Sequence, residues 1–170
     1  HSSVRTYVLR EDAAKRAATA AEVAEMKRLV VEGLRAGAVG FSSTTLEPHN
    51  GANGIPMTSR LTDEHEMREL TGALGEVGRG VFMVTKGMTT TVPWLESIAE
   101  RTGRPVNIAA LFVDPNDPER VFGEFEQIEM LLEIPLQLFN GRFQLKRFAQ
   151  QLTQFGRPLV VGDLFQNRDR

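Results

Sequence analysis

Cysteine is absent from the 170 residues, which excludes disulfides, thiolate zinc sites and thiol nucleophiles. That absence fits either redox environment. Histidine is scarce as well, with only His1, His49 and His65. No apolar run approaches the roughly 20 residues that span a bilayer, and the first residues lack the charged-then-apolar order of a signal peptide. The expected setting is therefore soluble and cytoplasmic, with no membrane partner. Charge of one sign is also lacking: 20 Lys and Arg against 22 Asp and Glu leave a net charge of -2. Such a chain has no field to attract phosphate backbones, so nucleic acid is not an expected partner. Gly51, Gly54 and Gly87 form no phosphate loop, because no Gly-rich run ends in Lys-Ser or Lys-Thr after a strand.

What is present is a core-forming composition, 41% hydrophobic and 25% charged, arranged in a repeating order. Thr19 to Glu22 reads as a capping box, Val23, Met26, Val30 and Leu34 follow at helical spacing, and Gly37 supplies the stop. The short apolar stretch Ala38 to Ser42 then reads as a buried strand ending in hydroxyls. Asp63 or Thr62 caps a second helix through Met67, Leu70, Leu74 and Val77, closed by Gly78 and followed by the strand Val81 to Thr85. Thr91 and Pro93 open a third helix, Gly103 ends it, and Val106 to Leu111 is the next strand. Three helix-glycine-strand copies predict parallel strands joined by crossover helices. A fourth helix is expected from Pro118 through Leu132, then an apolar segment from Ile134 to Phe139, a further helix through Phe143 to Phe155, and a last strand from Pro158 to Asp163.

One long connection, 44–61, interrupts this order. Loops of that length in compact α/β domains are functional or disordered, and in a barrel this one lies on the catalytic face.

Four stretches resemble a known family. These are His1-Ser2-Ser3-Val4-Arg5, Gly37 to Ser43, His49-Asn50-Gly51 with Pro56 to Arg60, and Gly78 to Phe82. Together they are similar to the N-acyl-D-amino-acid deacylases (D-aminoacylases) within the metal-dependent amidohydrolases, a match that runs to about residue 122. The resemblance implies a partial (β/α)8 TIM barrel of several consecutive parallel βα units, one incomplete domain over 1–170. It also implies zinc, which activates a water for attack on the amide of an N-acyl amino acid while an Asp relays the proton. The family's His-x-His pair would precede His1, and the places of its two later metal histidines are held by Thr85 and Ala110, which cannot replace an imidazole.

Most candidates carry two readings. His1 is an active-site or metal histidine, or a frayed solvated end. Ser42 and Ser43 hydrogen-bond a substrate carboxylate or cap the strand, with no general base in view to make either a nucleophile. His49 and Asn50 touch substrate or only water, and Arg60 clamps an acyl or carboxylate group or pairs with Asp63 or Glu64. Lys86 at a strand end serves Schiff-base chemistry or carbamylation, or snorkels from the rim, and Asp163, at a strand end beyond the stretch that resembles the family, is a candidate for a proton-relay Asp. The parent protein is accordingly expected to be an amide hydrolase, with a non-catalytic remnant or a Lys86 lyase as alternatives. The open edges of such a partial sheet would favour self-association.

Overall fold

A computed structural model describes residues 1–112, 116–117, 119–136 and 159–160. The chain divides into two compact units, His1–Ile108 and Ala109–Arg170. In the first unit the capping signals act where expected. Helix α1 spans Ser2–Leu9. Thr19 caps α2 (Ala20–Arg35) through a complete capping box with Glu22. Asp63 caps α3 (Glu64–Val77), its side chain accepting from Glu66 N at 2.7 Å, and Thr91 caps α4 (Val92–Thr102). Gly78 and Gly103 end α3 and α4 at φ 70 and 62. A side chain there would meet the Cβ penalty of the left-handed region.

Strands β1 (Gly40–Thr44), β2 (Val81–Thr85) and β3 (Val106–Ile108) form one parallel sheet in the order β1-β2-β3. Gly40 pairs with Val81 and Thr44 with Thr85, while Met83 pairs with Asn107. The fold is thus mixed α/β with successive parallel strands joined through helices. Phe41, Phe82 and Val84 point into a core shared with Met26, Leu34, Met67, Leu70, Leu74 and Ile98 from the helices. The opposite face carries Ser42, Val81, Met83 and Asn107, all exposed.

Two expected strands differ from those observed. The first begins at Gly40, not Ala38, because Gly37 N and Ala38 N bond back to Leu34 O and Gly33 O and complete the end of α2. Val39 is left 86% exposed, outside the sheet. The expected strand from Val106 to Leu111 is divided at Ala109. Its second part, β4 (Ala110–Leu111), pairs antiparallel with β5 (Leu159–Val160) in the other unit. Ala110 therefore does not sit at the carboxyl end of a parallel strand. In that unit α5 spans Arg120–Leu136 and takes in Ile134 to Leu136, which were expected after the helix. The expected helix through Phe143 to Phe155, and Asp163, lie outside the described residues.

The capping box also makes a pH prediction. The Arg16 guanidinium, at 2.8 and 2.9 Å, and the Thr19 backbone N hold the Glu22 carboxyl well below its ordinary value of 4.5, at about 2. A depressed carboxyl stabilises the fold above about pH 4.5, and that contribution is lost as pH falls toward 2. Glu22 is a surface group, so solvent screening keeps the effect below about 1 kcal/mol. Thermal melts of the chain and of Glu22→Gln should differ at pH 6 by more than at pH 2.5; a constant gap would contradict the assignment.

Candidate functional site

The carboxyl ends of β1 and β2 gather most of the residues singled out in the sequence. Side chains alternate along a strand, so the neighbours Ser42 and Ser43 part company: Ser42 lies on the exposed face, and Ser43 is buried on the helix side. A shared role in holding one carboxylate is not what this geometry offers.

Ser43 instead joins a buried polar network. Its Oγ lies 2.9 Å from His1 Nδ1, and His1 Nε2 lies 2.7 Å from Glu66 Oε1. Glu66 Oε2 accepts from Arg5 Nη1. Arg5 also donates through Nε to Ala13 O at 3.2 Å and through Nη2 to Arg16 O at 2.6 Å. His1 is therefore not a frayed end: its side chain is 0% exposed, Glu66 1%, and Arg5 0%. The His1 ring stands 5.4 Å from that of Phe41, which stacks on Phe82 at 6.0 Å. The backbone nitrogen of His1 donates to Ser42 O at 2.7 Å.

Sequence reasoning missed Arg5 and Glu66 as members of this network. A signal existed: Glu66 falls on the same stripe as Leu70, Ala73, Leu74 and Val77, a charge at an apolar helical position. The histidine and carboxylate beside Ser43 were equally unseen, since they come from residues 42 positions before and 23 after it.

Connection 44–61 is not structureless. Short 3-10 turns at Ala52–Gly54 and Thr58–Leu61 and a bridge between Asn50 and Pro56 fold it on itself. Arg60 Nη1 donates to Asn50 Oδ1 at 2.6 Å and to His49 O at 3.2 Å. His49 Nδ1 lies 2.7 Å from Thr44 Oγ1. His49, Asn50 and Arg60 are thus brought together, but the guanidinium of Arg60 holds its own loop. Ser2 Oγ donates to Ser59 Oγ, which donates to Thr44 O, so hydroxyls tie α1 and this loop to the end of β1. Together with the His1 nitrogen on Ser42 O, they occupy two carbonyls along β1. Arg60→Met should leave global stability within about 1 kcal/mol, as exposed polar contacts usually do. Limited proteolysis between residues 45 and 61 should accelerate several-fold; an unchanged cleavage rate would show that Arg60 does not fasten the loop.

Beyond β2, Lys86 is 5% exposed, buried rather than snorkelling from a rim. The adjoining loops are zipped by Thr45 Oγ1 to Thr90 Oγ1 at 2.6 Å, Gly87 N to Thr45 Oγ1 at 2.9 Å and Met88 N to Glu47 Oε1 at 2.9 Å. Thr85 ends β2, half-buried.

A catalytic zinc takes three protein ligands and a structural one four. Among the described residues no group of three or more His, Asp or Glu is placed to hold a metal ion. Both nitrogens of His1 face other partners. No helix among the described residues is long and apolar enough to cross a membrane. Comparison with family models, curated proteins and solved structures gave no match to this chain.

Proposed function

We propose that these residues are consecutive βα units from the wall of a larger barrel, belonging to a hydrolase that cleaves the C–N bond of N-acyl amino acids or related amides. The observation that carries this reading is the uneven covering of the sheet. Parallel sheets are ordinarily covered on both faces. Here helices bury Phe41, Phe82 and Val84, while Ser42, Met83 and Asn107 in paired register on the other face are exposed. In a closed barrel that second face is the lining of the interior. A row of Ser42, Met83 and Asn107 open to solvent is what a stretch of wall presents when further strands are not beside it.

Connection 44–61 follows the carboxyl end of β1, the end at which barrel enzymes bind substrate. In this reading exposed His49 meets the substrate, while Asn50 and Arg60 hold its loop in place. Ser42 lines the approach from the interior face. Zinc enters no step drawn from these residues, and its ligands would come from elsewhere in the polypeptide.

The test is release of free amino acid from N-acetyl-D- and N-acetyl-L-amino acids. The full-length polypeptide that carries these residues is expected to hydrolyse them, and the 170-residue chain alone is not. A full-length protein without this activity removes the reading and leaves the non-catalytic remnant. The burial of Lys86 next to a strand end supports a second reading, a Schiff-base lyase. Borohydride in the presence of a carbonyl substrate would then fix an adduct on Lys86; an unmodified lysine excludes it.

A further inference from the structure

We infer that His1 is a structural bridge joining β1, α1 and α3, and not a metal ligand. The geometry leaves its imidazole no free lone pair. Glu66 receives the Arg5 guanidinium on one carboxylate oxygen and His1 Nε2, at 2.7 Å, on the other. A carboxylate held by guanidinium accepts and does not donate. Nε2 therefore carries the proton; because the Arg5 cation already balances the Glu66 carboxylate, we assign a neutral ring with its lone pair on Nδ1. That lone pair receives the Ser43 hydroxyl at 2.9 Å. The ring is a neutral imidazole of one tautomer, with donor and acceptor both satisfied in a place without solvent, its side chain being 0% exposed.

A metal ion at this ring would need one of those two positions. Taking Nδ1 leaves the Ser43 hydroxyl, in a residue 8% exposed, without its acceptor. Taking Nε2 strips one donor from a carboxylate that is 1% exposed. Either loss leaves a buried polar group with a broken hydrogen bond, which costs more than the bond contributes. Among the described residues, Glu66 is the one carboxylate placed against the ring, and the Arg5 cation already sits on it. A dication there would meet like charge at close range in a poorly solvated setting. Phe41 occupies a further side of the ring.

The bridge has a consequence for the neighbouring edge. It fixes the segment at His1 against β1, so that the nitrogen of residue 1 meets Ser42 O. Substrate-facing Ser42 is thereby set by a contact on its own carbonyl, while its side chain points to the other face.

Nitrogen-15 spectra of the histidine rings, recorded on the 170-residue chain with zinc chloride and then with EDTA, decide the matter. Expected are the Nε2–H tautomer pattern for His1, unmoved by either reagent, and a melting temperature unchanged by zinc. His1→Ala should lower the melting temperature by roughly 10 °C, as breaking a buried charged network in a protein of this size does. Zinc that binds at another residue and leaves the His1 signals in place still supports the bridge. One equivalent of zinc that shifts a His1 ring nitrogen and raises the melting temperature overturns it, and so does an Nδ1–H or doubly protonated ring. Should His1→Ala fail to fold, the titration of the unaltered chain decides alone, and its outcome is independent of amide hydrolysis by the full-length protein.

Discussion

Replacing Arg5 by Met should cost about 3–5 kcal/mol, measured by urea denaturation, because it leaves a carboxylate buried without its cation. Glu66 is 1% exposed and receives Arg5 on one of its two oxygens. The same substitution removes the donors to Ala13 O and Arg16 O, which tie α1 to the turn that follows it. Arg5→Lys keeps the charge but not the fork, and should fall between the two. Combining Arg5→Met with Glu66→Gln should recover much of the loss, since the pair shares one network and its effects do not add. An Arg5→Met variant within about 1 kcal/mol of the unaltered chain would show that the network contributes little to the fold.

Gly40→Ala is the second large effect, expected at about 3 kcal/mol, the upper end of overpacking costs. A Cβ at Gly40 would stand 2.2 Å from Val81 O and 3.0 Å from Val81 N. Both are backbone atoms, so no rotamer change relieves the clash and β1 must move from β2 at their first paired residues. Hydrogen exchange at Phe41 and Phe82 amides should quicken alongside the drop in denaturation midpoint. Gly33→Ala is the control. It lies inside α2 with nothing within 4 Å of its added methyl, and should stabilise by about 0.5–1 kcal/mol. Equal effects at the two positions would mean that β1 does not approach β2 as described.

Much of the local structure was legible because its causes lie a few residues apart. Thr19 and Glu22 cap each other, Asp63 and Thr91 start their helices, and Gly78 and Gly103 end theirs. Strand β2 follows from an apolar run between a glycine and a lysine. Helix α1 was not legible. Its sequence, SSVRTYVL, holds Ser, Thr and two Val, all weak helix formers, and no side chain caps its start. What holds it is Arg5 drawn into the core, a contact made 61 residues away.

The division of the third strand at Ala109 was hidden for a related reason. Val106 to Leu111 is apolar throughout, and an apolar run states burial without stating which sheet buries it. Pairing with β2 in one unit and with β5 in the other is decided by partners distant in the chain. The long connection 44–61 likewise showed no periodicity, because its order comes from Arg60, Thr44 and Ser59 hydrogen-bonding backbone and side chains of neighbouring segments.

The sequence by itself determined the caps, the helix stops, the succession of parallel strands and the neighbourhood of the loop to a strand end, since propensity, period and capping act over one or two turns of chain. Only the tertiary structure decided which face each serine takes, that Lys86 is buried, and that His1 lies enclosed between Ser43 and Glu66. The physical reason is that a buried polar group is tolerable only with its partners in place, and those partners are brought together by packing, not by spacing along the chain.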